Sequence, residues 1–244
     1  MGMKKGSKHL LAMFMVGCMV LFSIPMGVFA KEVNEDQSIS SYGADVSYTI
    51  QNETDLNNAV AAIKASGETT ATIVLGQSVT TATPFNGVEG VHITLKSTEG
   101  QTYKLNMGTN LIGDMTFDNV DCYTYNSTVY ANGHLFETTD NYNSNILSLY
   151  GGSFKSDVDG DTNLVIKGGH ISFVYGGGLD GNVSGSTNIT INSTNNLLGT
   201  VFGGGLAKDT KTGLVMGNTN ITRNVFLNNK IFEITDFTFR FIYV

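Results

Sequence analysis

A short motif, one aromatic residue followed by glycines, occurs three times in the second half of the chain and restricts the fold more than any other feature. Its copies are residues 149–152, 174–179 and 201–206. A second motif, threonine and asparagine followed by aliphatic or β-branched residues, keeps step with it at residues 162–166, 187–191 and 219–222. The aromatic residue recurs after 25 and then 27 residues. A repeat of this length, built from strand-forming segments, predicts a solenoid of stacked β coils.

Two sets of side chains in these repeats have expected positions. Alternation along the threonine–asparagine motif places one set in the interior: Leu164, Ile166, Ile189 and Ile191. The aromatic residues lie one coil apart and are expected to stack about 4.8 Å apart as a ladder: Tyr150, Tyr175 and Phe202. We expect the glycines after them to turn the chain beneath the ladder. The many glycines also suit the turns between stacked parallel strands, which need positive φ angles and close approach of the backbone.

The first 30 residues have the pattern of a signal peptide. Three lysines precede an apolar run over residues 10–22, and residues 28–30 form a small–x–small cleavage site. A lipoprotein cleavage box ending at Cys18 is the alternative, although apolar residues follow that cysteine. We therefore expect a secreted, extracellular protein that can be held at the cell surface, with residues 31–50 as a flexible lead-in.

One amphipathic helix is expected over residues 54–66, with Thr54 as its N-cap and Gly67 at its end. Short strands between polar turns are expected at residues 72–75, 91–95, 103–107 and 115–120. The sequence thus predicts an all-β fold, a right-handed parallel β-helix over residues 51–222. The short N-terminal helix is expected to cap its first coil.

The net charge of −7 falls to about −10 once the three lysines of the signal peptide are removed. This acidity argues against nucleic acid or an anionic membrane as a partner. Contact with a membrane is expected only through the signal peptide before its cleavage. Cys122 is the one cysteine beyond the signal peptide, so no intrachain disulfide is expected, and it fits a buried strand position.

The repeats resemble a known architecture. Residues 112–120 and 129–134, together with the aromatic–glycine motifs, are similar to the right-handed parallel β-helix repeats of bacterial cell-surface proteins, which are adhesin-like and grouped with the pectate-lyase-like fold. The resemblance covers roughly residues 50–222. It implies a surface scaffold whose partners are glycans or host and cell-surface proteins. A carbohydrate-active module stays open, since polysaccharide lyases and glycoside hydrolases share the fold.

Residues suited to catalysis are scarce. A lyase uses arginine or lysine as base and charge neutraliser, and the two arginines of the chain, Arg223 and Arg240, follow the last clear repeat. A hydrolase needs two carboxylates that face each other. The histidines that follow the signal peptide lack metal-ligand spacing and fit surface positions: His92, His134 and His170. We therefore expect no catalysis and no cofactor.

Glycan contact, the alternative function, is expected where carboxylates and aromatic residues are dense. The candidates are Asp118, Asp121, Tyr123, Tyr125 and Tyr130, with Tyr142 nearby. Asp118 and Asp121 differ in strand parity, so a shared outward face requires a bend near Asn119.

A further acidic cluster, Asp157, Asp159 and Asp161, resembles the start of a calcium loop. It departs from the EF-hand pattern, because Gly168 stands where a bidentate glutamate is needed. Two interpretations remain: a polar connector between coils, which we favour, and a weak structural calcium site.

The repeat changes at residue 223. Arg223 takes the position that Ile166 and Ile191 hold in earlier copies, and an unpaired guanidinium is costly to bury. Residues 223–244 contain no glycine and are rich in aromatics. An interrupted reading frame or a truncated gene would explain this atypical tail. The alternative is a genuine cap strand that pairs with the last coil.

Overall fold

The computed structural model describes residues 46–192, 198–209, 213–227 and 230–235. The strands in these residues are β1 (Val46–Ile50), β2 (Thr70–Leu75), β3 (His92–Ser97), β4 (Tyr103–Asn106), β5 (Met115–Asp118), β6 (Val120–Tyr123), β7 (Thr128–Tyr130), β8 (Phe136–Thr138), β9 (Asn145–Tyr150), β10 (Thr162–Ile166), β11 (His170–Tyr175), β12 (Thr187–Ile191), β13 (Leu198–Phe202), β14 (Thr219–Leu227) and β15 (Lys230–Thr235). The helix α1 spans Glu53–Ser66, and a 3-10 turn spans Tyr125–Ser127. The described chain is therefore mostly β.

These strands form three sheets, in which every pair is parallel except β14 with β15. A nine-stranded sheet has the order β1-β2-β3-β5-β8-β10-β12-β14-β15, a four-stranded sheet the order β13-β11-β9-β7, and β4 pairs with β6. From β8 to β14 the chain alternates between the nine-stranded and the four-stranded sheet. A chain whose consecutive strands belong alternately to two parallel sheets is compatible with a parallel β-solenoid.

The threonine–asparagine motifs lie in register, as their spacing predicts. β10, β12 and β14 pair so that Leu164 faces Ile189 and Ile166 faces Ile191. All four of these side chains are buried, which confirms the interior set. Arg223 lies opposite Ile191 and is exposed, and β14 pairs with β15 in antiparallel orientation.

The helix is present, but the prediction that it is N-terminal is wrong within the described chain. β1 precedes α1 and pairs in parallel with β2, so α1 is the crossover that two parallel strands require. Its N-cap is Asn52, whose side chain accepts a hydrogen bond from the Asp55 N–H at 2.9 Å, and not Thr54. Gly67 ends the helix with φ 71°, as expected. α1 buries Leu56, Ala59 and Ile63 in the common core.

Two predicted boundaries also differ. β1 lies within the expected lead-in of residues 31–50, because Ile50 is fully buried and holds this segment on the sheet. The strand expected over residues 115–120 divides into β5 and β6 at Asn119, whose φ is 46°. The signal peptide, the lipoprotein alternative and the rest of the lead-in fall within residues 1–45, outside the described residues.

Candidate functional site

The predicted aromatic ladder is present on the four-stranded sheet. The ring centroids of Tyr150 and Tyr175 are 4.6 Å apart with an interplanar angle of 7°, and those of Tyr175 and Phe202 are 4.9 Å and 10°. Tyr130 adds a rung that the sequence analysis did not assign, 5.0 Å from Tyr150. The available signal was the match between Val129-Tyr130 and Leu149-Tyr150, which pair in register.

The residues that follow Tyr150 and Tyr175 are glycines because the backbone of the next repeat lies directly against them. A Cβ atom on Gly151 would lie 2.3 Å from the Gly176 carbonyl oxygen, and one on Gly176 would lie 2.3 Å from the Gly203 oxygen. Threonine hydroxyls donate to the same carbonyls, Thr162 to Gly176 at 2.7 Å and Thr187 to Gly203 at 2.6 Å. Positive φ angles occur at other glycines, such as Gly133, Gly160 and Gly169. Gly151, Gly176 and Gly203 do not have a positive φ, so close approach accounts for them. The next repeat leaves no room for a side chain.

The structure distributes the glycan-contact candidates over three sheets. Asp118 ends β5 on the nine-stranded sheet, where its Oδ1 accepts hydrogen bonds from Thr139 Oγ1 at 2.6 Å and Asn141 Nδ2 at 3.1 Å. Tyr130 belongs to the ladder of the four-stranded sheet. The bend at Asn119 is present, and it carries the chain from β5 into the two-stranded sheet, away from Asp118.

Asp121 and Tyr123 lie on β6, and Tyr125 follows in the 3-10 turn two residues after Tyr123. We call these three residues, with Lys104, the tyrosine patch. Asp121 and Tyr123 project from the same face of β6, and Lys104 Nζ lies 3.4 Å from Asp121 Oδ2. Tyr123 is 44 % exposed and Tyr125 79 % exposed. The nearby Tyr142 is buried in the core, so it offers no surface contact.

The cluster considered for calcium forms bonds to the next repeat. Asp157 Oδ1 accepts from the Asn182 N–H at 3.0 Å, Asp159 Oδ1 from Ser184 Oγ at 2.7 Å, and Asp161 Oδ1 from the Ser186 N–H at 2.7 Å. Each bond reaches 25 residues ahead. Among the described residues, no group of three His, Cys, Asp or Glu side chains is placed to hold a metal ion. These contacts favour the connector interpretation.

Asparagine side chains link the same repeats on the outer face of the nine-stranded sheet. Asn188 Nδ2 donates to Asn163 Oδ1 at 3.1 Å, and Asn220 Nδ2 donates to Asn188 Oδ1 at 2.8 Å. A parallel sheet in register brings identical side chains within hydrogen-bonding distance, one repeat apart. The outward amides therefore hold one repeat to the next.

A polar network on the nine-stranded sheet was missed from sequence. Thr116 Oγ1 donates to Glu137 Oε2 at 3.2 Å and lies 2.8 Å from His92 Nε2. Lys167 Nζ lies 2.6 Å from Glu137 Oε1. Glu137 on β8 lies opposite Thr116 on β5, 21 residues earlier, and opposite Val165 on β10, 28 residues later. This irregular spacing hides the pairing.

Two buried titratable groups, Asp180 and Cys122, are not part of the exposed tyrosine patch. Asp180, 1 % exposed and with φ 59°, accepts hydrogen bonds through Oδ1 from the N–H groups of Asp209 and Lys208, which lower the pKa of its carboxyl. Its Oδ2 is buried and has no partner among the described residues. Burial, with the nearby Asp121, raises the pKa of Cys122 well above its ordinary value, so this thiol is an inert core residue.

No protein-family model, curated protein sequence or solved structure matches this chain. In the described part of the chain, no helix has the length and apolar character needed to span a bilayer. The function is therefore argued from the arrangement of the residues themselves.

Proposed function

We propose that the chain is a secreted or cell-surface scaffold, an adhesin-like module without catalytic activity, built as a right-handed parallel β-helix. The observation that carries this proposal is the use of the outward polar groups of the repeats. Asp157, Asp159 and Asp161 bind the following repeat, and the ladder of Asn163, Asn188 and Asn220 does the same. A stalk needs such uniform ladders, whereas a catalytic groove needs free groups that converge.

The solenoid and its hand rest on general rules of β topology. Parallel strands of one sheet joined by a crossover are right-handed in nearly all proteins, which favours a right-handed winding here. The buried face of α1 belongs to the same core as Ile50, so the helix can close the interior near β1. Export rests on the signal-peptide pattern of residues 1–30.

The arrangement of charged groups supports the absence of catalysis. Asp118 and Asp121, the carboxylates considered for a hydrolase, lie on different sheets, and each is bound to side chains of its own surroundings. The one arginine among the described residues, Arg223, lies at the far end of the nine-stranded sheet. No arginine therefore lies next to these carboxylates in the described chain. The lysines beside them are Lys96, opposite Asp118, and Lys104, which forms an ion pair with Asp121 at 3.4 Å.

Glycan binding is the second candidate, favoured by the tyrosine patch. Two exposed tyrosines follow Asp121 in the chain, one on β6 and one in the next turn, and Asp121 is paired with Lys104. Sugars bind by stacking on aromatic rings and by hydrogen bonding to charged groups. Such binding is compatible with a scaffold, because adhesion needs recognition without turnover.

Activity and binding assays on the purified protein test both candidates. We expect no unsaturated uronate and no new reducing ends from pectic, alginate or plant glycans. Product that disappears in Asp118→Asn or Asp121→Asn would show that the scaffold proposal is wrong. If glycans bind, Tyr123→Ala with Tyr125→Ala should weaken binding, whereas Phe173→Ala, an exposed aromatic on the four-stranded sheet, should not.

A further inference from the structure

In the described part of the chain, the four-stranded sheet ends at β13. β13 pairs with β11 along one edge, and no described strand pairs with its other edge. The nine-stranded sheet continues past β12 with β14 and β15. Among the described residues, the backbone groups along this edge of β13 therefore have no strand partner at the point where a further repeat would pair.

Gly204 has room for a neighbour that the described chain does not supply. A Cβ atom on Gly152 would lie 2.6 Å from the Gly178 nitrogen, and one on Gly177 would lie 2.6 Å from the Gly205 nitrogen. The same atom on Gly204 would meet nothing within 4 Å. Gly152 and Gly177 must be glycine because the backbone of the next repeat lies against them. Gly204 holds the same position in the repeat, but no described backbone lies against it.

Thr219 and Gly203 lack the partners that their counterparts have. Thr162 and Thr187 are fully buried and donate to a glycine carbonyl, whereas Thr219 is partly exposed and has no acceptor among the described residues. The Gly176 N–H donates to the Phe202 carbonyl at 2.8 Å, and for the Gly203 N–H no described residue supplies such an acceptor. Two donors, the Thr219 hydroxyl and the Gly203 N–H, thus lack an acceptor among the described residues, in geometry that earlier repeats have satisfied.

We propose that the outer edge of β13 binds one further extended segment, supplied in parallel by another polypeptide. The segment carries an aromatic residue at the level of Phe202, where its ring continues the ladder. The carbonyl of that residue accepts from the Gly203 N–H, and the next carbonyl accepts from the Thr219 hydroxyl. This inference rests on the proposed solenoid, and it gives an adhesin-like scaffold a site for strand addition by a partner chain.

A synthetic peptide tests the site directly. Residues 198–206 of this chain adopt the required conformation in β13, so a fluorescent peptide of that sequence should bind the full chain, measured by fluorescence anisotropy. In the protein without peptide, the Cβ atom of Gly204→Ala occupies open space. In the complex, the same atom would collide with the backbone of the bound peptide. We expect roughly 5- to 150-fold weaker binding, as for an overpacked contact. A peptide with alanine in place of Phe202 should bind roughly 2- to 13-fold more weakly, since it lacks one stacked ring.

Controls separate this site from the fold and from the scaffold function. Gly204→Ala should unfold at a temperature no lower than that of the unchanged chain, and Tyr125→Ala, in the 3-10 turn after β6, should bind the peptide normally. The proposal is wrong if the peptide does not bind, or binds Gly204→Ala equally well. It is also wrong if the peptide binds only a chain that stops after Thr235, since the chain's own residues would then occupy the edge. If the chain is stable but does not bind the peptide, the strand-addition proposal is wrong, whereas the scaffold proposal is not contradicted.

Discussion

Replacing Gly176 by alanine should destabilise the protein strongly, because the corner beside the aromatic ladder has no space for a methyl group. The new Cβ atom would lie 2.3 Å from the Gly203 carbonyl oxygen and 2.7 Å from the Thr187 Cβ atom. Both neighbours are held by their own hydrogen bond, at 2.6 Å between the Thr187 hydroxyl and the Gly203 oxygen. The strands must therefore separate by about 1 Å to restore ordinary van der Waals contact.

The separation strains a small set of hydrogen bonds. The Gly176 N–H donates to the Phe202 carbonyl at 2.8 Å, and the Gly176 oxygen accepts from Thr162 Oγ1 at 2.7 Å. Each such bond contributes about 0.5–1.5 kcal/mol, and the overpacked contact costs about 1–3 kcal/mol. We expect Gly176→Ala to lower the free energy of unfolding by about 2–4 kcal/mol.

Gly204→Ala is the matched control, because its Cβ atom meets nothing within 4 Å. This variant should be neutral, or more stable by up to about 1 kcal/mol, since alanine restricts the unfolded chain. Urea and thermal unfolding followed by far-UV circular dichroism measure both variants, and Gly176→Ala should lose about 4–16 °C in midpoint. Equal midpoints for the two variants would refute the close-approach argument.

Two further predictions concern pH. Burial, with Tyr175 and Tyr130, raises the pKa of Tyr150 to about 12 from 10.0, so stability should be intact below pH 10.0 and fall as the pH rises toward 12; urea midpoints should fall less in Tyr150→Phe. Hydrogen bonds from Asp209 and Lys208 lower the pKa of Asp180 below 3.8, so its contribution is present above that value and lost as the pH falls through the lowered pKa. Asp180→Asn should therefore unfold earlier than the unchanged chain at neutral pH and approach it in acid, and a difference that is constant with pH would contradict this.

The repeated half of the chain was predictable because its repeats are nearly equal in length. Equal spacing puts Tyr150, Tyr175 and Phe202 at the same point of successive repeats, and a strand period of two decides which neighbours face inward. The ladder and the buried set that includes Leu164 and Ile189 follow from these two facts alone.

The first half was less predictable, since its strands are unevenly spaced. Without equal spacing, the register that sets Glu137 between Thr116 and Lys167 is not visible in the sequence. The helix was recognised from its apolar spacing, but its place after β1 was not, because β1 alternates too weakly to be told from a polar lead-in.

The sequence by itself determined that the second half stacks in parallel, with an aromatic ladder and glycines where the backbones meet. Only the tertiary structure decided which surface residues share a site. The left-handed φ of Asn119 sends Asp118 and Asp121 to different sheets, and the pairing of β7 takes Tyr130 into the ladder. The physical reason is that periodicity specifies which face of a strand a residue occupies, whereas the bends between strands specify which sheet that strand joins.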